Sequence, residues 1–408
     1  MNFKANLSVT TFNLLAPCYR KIDVTQGSAQ YSNKRQPPER TICGAEKLNC
    51  KDGECLAATS PKVTKLTSTN DANQSDHSLV SLNTWKKWSQ FFYESIQKCK
   101  ASTGCKILES QVKESWKARA QKLVTFLKEQ LGTDVICLQE YWCKQPEWCS
   151  IFEDHFLNEY EFYTAKRSGE KADGLVTLVR RNCDWKVVDT EKYYFRDCGE
   201  RLLLATVLRL NTIEDNGQQL KEDPFDCLVI NTHLSFPHGS WGKSLRLTEV
   251  KKLLEFIDSY LELHPGQVKA VVVLGDFNSS LEDPVCQQVI GRGFANSYYL
   301  THGNENVVTH CNHKGQSLAV DKVYFKLVTY SENVPEYLSN KKCSENGSSE
   351  MPYLSSSLAE GSKVRMVPIE ATVFPPSLGV EQWPTVSEYN LSDHRPLKVM
   401  FEIQFQDI

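Results

Sequence analysis

Ala270-Val271-Val272-Val273-Leu274-Gly275-Asp276-Phe277-Asn278 is an apolar run that closes on a glycine, an acid and a carboxamide. The apolar part reads as a short strand with a buried middle. A strand that is apolar until its last positions and then presents a polar group sets that group at the rim of a sheet, where rigid sites are built. Three other runs share this design. Val9–Leu15 carries Thr11-Phe12-Asn13, Val135–Gln139 leads into Glu140, and Cys227–Thr232 leads into His233. Ser392-Asp393-His394 supplies a fifth segment. Together the five provide an acidic pocket with two imidazoles and two carboxamides, the inventory that holds a hard divalent cation against a phosphodiester.

Helical patterns lie between these strands. Leu247, Val250, Leu254, Ile257 and Leu261 recur at spacings of three and four, as do Trp116, Ala120, Leu123, Leu127 and Leu131, with Gly132 placed as a C-terminal cap. Strands mixed with helices, without strict alternation, predict a layered α/β fold rather than an all-β sandwich or a bundle. No internal repeat is visible. The five segments run from residue 11 to residue 394, so one domain over 1–408 with insertions fits better than two or three separate ones. The insertions fall at about 26–109 and 331–361, both polar and without apolar period over most of their length. Within the first, Trp85, Trp88, Phe92 and Ile96 predict an amphipathic helix over 84–98, either covering the core or acting as a lid.

The net charge of −3 and a pI near 6.3 exclude an overall basic field of the kind that drives non-specific duplex binding. No run approaches the roughly 18 apolar residues of a membrane span, and the first ten residues have no signal-peptide core. The expectation is an intracellular protein, cytoplasmic or nuclear. The sequon Asn278-Ser279-Ser280 argues mildly the same way, since a glycan there would block the pocket. Fifteen cysteines, without CxxC pairing, read as free thiols. A zinc site among Cys43, Cys50, Cys55, Cys99 and Cys105 matches no compact ligand spacing.

Thr11-Phe12-Asn13-Leu14-Leu15-Ala16-Pro17, Ile136-Cys137-Leu138-Gln139-Glu140, Gly275-Asp276-Phe277-Asn278 and Ser392-Asp393-His394-Arg395-Pro396-Leu397 resemble the endonuclease/exonuclease/phosphatase superfamily. The resemblance covers the chain apart from the two insertions. Asn13–Pro17 and Asp173-Gly174 look most like its deadenylase-type and Angel-type branch. The stretch from Asn231 to His238 and the stretch Thr309-His310-Cys311-Asn312-His313-Lys314-Gly315 look closer still to plant and algal members of that branch. The resemblance implies a four-layer α/β sandwich, two packed mixed β-sheets flanked by helices. It also implies magnesium, with manganese able to substitute.

In that pattern Glu140 is the principal metal ligand and Asn13 completes or orients its shell, while Asp393 serves a second metal or the same one. Asp276 orients or deprotonates the attacking water and Asn278 holds a phosphoryl oxygen. His394 and His233 face the developing charge, and Asp321 orients His394. The family has an aromatic after that aspartate where this chain has Lys322. Asp173 and Arg201 are substrate-side candidates, Arg201 by bidentate pairing with a phosphate. Each of these residues also has a plain reading as a strand end, turn or surface ion pair, and His310 and His313 read first as loop histidines.

The implied activity is phosphodiester hydrolysis on single-stranded RNA, as a deadenylase-like 3′-exonuclease. Tyr141, Trp142, Phe236 and Trp241 are the aromatics that would stack unpaired bases. A phosphatase or a phospholipase C-type enzyme, sphingomyelinase-like or acting on an inositol phosphate, is the alternative from the same superfamily. A catalytically silent binding module is disfavoured, because Asn13, Glu140, Asp276, Asn278, Asp393 and His394 are all present.

Overall fold

The computed structural model describes residues 3–23, 106–211, 224–237, 239–305, 307–328, 364–378 and 389–405. The chain divides into two compact units, Met1–Arg20 with Leu108–Ile408, and Lys21–Ile107. The helix expected over 84–98, the five N-terminal cysteines and the second insertion lie outside the described residues.

The strands in chain order are β1 (Phe3–Asn13), β2 (Lys21–Asp23), β3 (Lys106–Leu108), β4 (Val135–Tyr141), β5 (Tyr160–Lys166), β6 (Gly174–Arg180), β7 (Trp185–Tyr194) and β8 (Leu202–Leu210). They continue as β9 (Asp226–His233), β10 (Val268–Asp276), β11 (Ala295–Asn296), β12 (His310–Cys311), β13 (Ser317–Leu318), β14 (Asp321–Leu327), β15 (Val364–Val373) and β16 (Leu397–Phe405). The helices are α1 (Lys113–Phe126), α2 (Pro146–Phe156), α3 (Gly239–Leu263), α4 (Pro284–Gly291) and α5 (Ser297–His302). After α1 the chain widens into a π-helical turn, Leu127–Leu131, which Gly132 ends in the left-handed conformation expected of a cap.

Two six-stranded sheets result, in the orders β15-β16-β1-β4-β6-β5 and β11-β14-β10-β9-β8-β7. Each is mixed, with one parallel pair at its centre, β1 with β4 and β9 with β10. Val9, Val135 and Cys137 of the first sheet pack against Val229, Val272 and Leu274 of the second. Alternate residues face outward: Val271 and Val273 meet Val250 and Ile257 of α3, while Ile136 and Leu138 meet Trp116 and Leu123 of α1 and Trp148 of α2. Helix, sheet, sheet and helix make the expected four-layer sandwich. The apolar runs are continuous because these central strands are buried on both faces.

Polar side chains interrupt the inter-sheet core at one level. Gln139 Nε2 donates to Asn231 Oδ1 at 2.9 Å, and Asn231 Nδ2 donates to the Val176 carbonyl at 3.0 Å. A buried carboxamide left unpaired costs about 1–3 kcal/mol, so this pair favours one register between the sheets. Just beyond it the parallel strands end, side by side, at one rim.

Gly275 lets β9 and β10 approach there. Its φ is +150°, and a Cβ at this position would meet the Thr232 carbonyl oxygen at 1.9 Å. Gly275→Ala should therefore lower the unfolding free energy by about 1–3 kcal/mol, read by chemical denaturation. An unchanged midpoint would show that the strand pair tolerates separation.

Candidate active site

Asn13, His233 and Asp276 are the last residues of β1, β9 and β10, and Asp321 opens β14 directly opposite Asp276. Asp276 is the centre of the group. Its Oδ2 accepts from Asn13 Nδ2 at 3.0 Å and lies 3.4 Å from His233 Nε2 and 3.7 Å from His394 Nε2. Its Oδ1 accepts from the Asn278 amide at 2.8 Å, which closes a tight turn with Asn278 at φ 51°. The Asn278 carboxamide donates to the Leu234 carbonyl at 2.9 Å and lies 3.3 Å from His233 Nε2. Arg246 of α3 donates to the Asn278 carbonyl from behind and pairs with Asp283 at 2.8 Å.

The C-terminal segment is tied in by Ser392, whose hydroxyl donates to the Asn13 carbonyl at 2.7 Å and accepts the His394 amide at 3.1 Å. His394 Nδ1 then lies 2.8 Å from Asp321 Oδ2. Candidate ligand atoms of Asp276, Asp321 and His394 fall within 4.8 Å of one another, as do those of His310, Asp393 and His394. His310 is a site neighbour that its loop position did not reveal. It is buried, its ring lies over that of His394 with centroids 4.1 Å apart, and its Nδ1 faces the Asp393 carbonyl at 3.1 Å. His313 is exposed, in the turn between β12 and β13.

Glu140 reaches the rim through a bulge between β4 and β6, where it adopts φ 53°. Its Oε2 accepts the Ala16 amide at 3.0 Å. Burial, then the charges of Asp173 and Asp393, push its carboxyl up to about 7. Burial likewise raises Asp276 to about 6, against the opposing pull of His394. His233 is moved the other way, its charge disfavoured by burial and by Arg201. Burial also works against charge on His394, but Asp321 and Asp276 outweigh it and raise its pKa to about 10. His310 falls to about 4, through burial and the adjacent His394 charge. The rim thus gathers carboxylates of raised proton affinity around one well-paired imidazolium.

Asp173 and Arg201 stand beside this group, in a closed crevice that they line with Arg167, Gly174 and His233. Asp173 accepts from the Tyr19 hydroxyl at 2.6 Å and lies 3.3 Å from Arg167. Arg167 and Tyr19 had no signal in the sequence beyond a loop charge and a loop aromatic.

The expectation for Tyr141 and Trp142 is corrected. They are 2% and 8% exposed, packed edge-on against Phe152 and Trp116 in the layer under α1 and α2, and present no face to a base. The bulge at Glu140 is the reason, since it turns Tyr141 away from the rim. Trp241, 73% exposed near the start of α3, and partly buried Phe236 remain open as stacking candidates. The nine cysteines among the described residues are all free thiols.

A family model described as the Endonuclease/Exonuclease/phosphatase family matches residues 95–394. An uncharacterized calcium-binding protein of Arabidopsis thaliana is 30% identical over 225 residues, 53% of this chain and 45% of that protein. The chain thus spans less than half of that relative's length. Among solved structures, the humanized D. rerio TDP2 is 16% identical at a TM-score of 0.45, covering 71% of this chain and 93% of that one. The catalytic domain of human Nocturnin is 16% identical at 0.46, covering 70% and 86%.

The His394–Asp321 pair makes a pH prediction for the metal-free protein. A histidine whose pKa rises from 6.5 to about 10 on folding stabilises fully below pH 6.5, and that contribution is lost as pH rises through 10. Asp321→Asn should bring His394 deprotonation down toward the ordinary imidazole range in an NMR titration. Protonation persisting to the wild-type pH would assign the shift to Asp276 instead.

Proposed function

The chain belongs to the Endonuclease/Exonuclease/phosphatase family, whose members hydrolyse phosphoester bonds, and from that premise we propose a magnesium-dependent phosphodiesterase that degrades RNA as a deadenylase-like 3′-exonuclease. The observation that carries the reading is the convergence on Asp276 of Asn13, Asn278, His233 and the His394–Asp321 pair. Asp276, raised to about 6, is ionised at neutral pH yet close enough to it to accept a proton from an attacking water. Asn278 holds a phosphoryl oxygen in line with that water. His394, kept protonated by Asp321, and His233 donate to the oxygens on which negative charge develops.

The residues at the other half of the rim fit a hard cation. Glu140, Asn13 and Asp393 offer oxygen donors, and Glu140 stands within reach of the Asp173 and Asp393 charges, whose mutual repulsion a cation would offset. A magnesium ion held by these residues would supply charge neutralisation and Lewis-acid activation of the phosphate. Asn13 has a second duty, because its carboxamide accepts from the Leu15 amide while donating to Asp276. The name of the Arabidopsis relative makes calcium the competing ion to test.

The test is hydrolysis of a 5′-labelled RNA ending in oligo-adenosine, beside sphingomyelin, an inositol polyphosphate and abasic duplex DNA, with magnesium, manganese or calcium. A ladder shortening from the 3′ end with magnesium is expected. Asp276→Asn should lower kcat by at least about 100-fold, the usual weight of a general base, and Glu140→Gln should abolish the magnesium dependence. Full activity in either variant would sink the site assignment, and turnover confined to sphingomyelin or the inositol phosphate would sink the RNA reading.

A further inference from the structure

His310 takes no part in the chemistry above, yet it is buried and its ring lies over that of His394, with centroids 4.1 Å apart and 30° between the planes. The backbone explains the contact. Cys311 donates its amide to the Asp393 carbonyl at 3.0 Å and Arg395 donates to the Thr309 carbonyl at 2.7 Å, which makes His310 and His394 an antiparallel bridge. Residues that face each other between two such bonds are a non-hydrogen-bonded pair, whose side chains share one face and come closest. The strand β12 thus lays one imidazole on the other.

The same short stretch also holds the other end of the His394–Asp321 pair. The Thr309 hydroxyl accepts the amides of Val320 and Asp321, each at 3.1 Å. His310 Nδ1 faces the Asp393 carbonyl at 3.1 Å, and a carbonyl only accepts, so the His310 proton sits on Nδ1. Burial and the adjacent His394 charge disfavour charge on His310, which therefore meets His394 as a neutral ring. Asp321 holds His394 at Nδ1 alone, and one bond at a ring edge leaves the ring free to swing. A wall against its face removes that freedom. The swing matters, because Nε2 stands 3.7 Å from Asp276 Oδ2, just outside hydrogen-bond range. A ring that closed this gap would spend its proton on the base and leave the phosphate without a donor.

We infer that His310 is a positioning residue for His394: its ring, laid on the His394 face, fixes the direction in which Nε2 presents its proton to the phosphoryl oxygens. This rests on the phosphodiesterase reading of the Asp276 site.

The first test is kinetic, on oligo-adenosine RNA with magnesium. His310→Ala should lower kcat about tenfold and leave KM within about twofold of wild type, a part of the roughly 100-fold that a full ångström of misplacement costs. His310→Phe, which keeps a ring and loses the bond to Asp393, should recover kcat to within about threefold of wild type. His310→Asn, which keeps a donor for that carbonyl and loses the ring face, should resemble His310→Ala. Wild-type kcat in His310→Ala, or recovery by His310→Asn and not by His310→Phe, would overturn the role of the ring.

The second test needs no turnover. In metal-free protein the Nδ1 proton between His394 and Asp321 should give a far-downfield proton NMR resonance, identified by its loss in Asp321→Asn. It should persist in His310→Phe and broaden in His310→Ala, where one face of the ring is opened to solvent and to motion. An unchanged resonance in His310→Ala would overturn the positioning role even if RNA is cut. A resonance that needs the ring, in protein that cleaves no RNA, would keep the positioning role and overturn the nuclease reading.

Discussion

The guanidinium of Arg119 is the fixture on which the rim depends. It is buried in α1, and it reaches three parts of the chain that are remote in sequence. Its Nε donates to both Glu109 oxygens at 3.1 and 2.8 Å, Nη1 to the Leu14 and Leu391 carbonyls at 2.8 and 2.9 Å, and Nη2 to the Leu15 carbonyl at 2.8 Å. Leu14 and Leu15 follow Asn13, and Leu391 precedes Ser392-Asp393-His394. Glu109 in turn receives Arg20 at 3.6 Å, and its amide donates to the Arg20 carbonyl. Loss of this one side chain would strand a buried carboxylate and three carbonyls, a defect of about 3–5 kcal/mol by comparison with broken buried pairs. The positions of Asn13 and His394 are thus set from beneath by a residue that touches neither.

Backbone strain marks the places where the strands hand over to the site. The described residues other than glycine with positive φ include Leu15, Glu140 and Asn278, one beside Asn13 and two within the site itself. Each is held by a bond that the strand ladders do not supply: Leu15 by Asn13 and Arg119, Glu140 by the Ala16 amide, Asn278 by Asp276 and Arg246. Such conformations cost about 1–3 kcal/mol each and persist where the surroundings over-determine them. At Glu140 the gain is visible. Ile136 and Leu138 face the helices, so strict alternation would drive Glu140 into the Trp116 and Trp148 layer. The bulge puts Tyr141 there and leaves the carboxylate at the rim.

This also explains what the sequence disclosed and what it withheld. Strand-end placement of Asn13, Glu140, His233 and Asp276 was legible because an apolar run terminating in a polar residue has one low-energy position in a sheet. The two helices and the Gly132 cap were legible from their periodicity. The fate of Tyr141 was not, since a one-residue bulge reverses facing and leaves no trace in composition. Arg119 sits among Lys113, Glu114, Lys117 and Lys122 in a helix whose charges read as a solvated face, and only its tertiary partners separate it from them. His310 is a loop histidine until its bridge to His394 is formed, and that contact spans 84 positions of sequence. Arg167 reads as a charge in a polar turn until Arg201 arrives from the other sheet.

The rim also divides its chemistry between the sheets. In the proposed reaction Asn13, Glu140 and Asp393, from the first sheet or the segment leading into it, offer oxygen to a cation. His233, Asp276 and Asp321, from the second, hold or accept protons, and Asn278 holds a phosphoryl oxygen. His394 belongs to the first by sequence and to the second by its bond to Asp321. The proposed reaction therefore requires the two halves to keep one spacing, which backbone hydrogen bonds within each sheet cannot enforce. That work falls to the side chains that cross between them: Gln139 with Asn231 in the core, Asn13 with Asp276 and His394 with Asp321 at the rim. Hydrophobic packing is non-directional and tolerates small slips, whereas these bonds lengthen and fail within an ångström. The carboxamides in the sheet-to-sheet layer thus serve the proposed site as well as the core, because the register they select sets the distance between the proposed cation ligands and the proposed base.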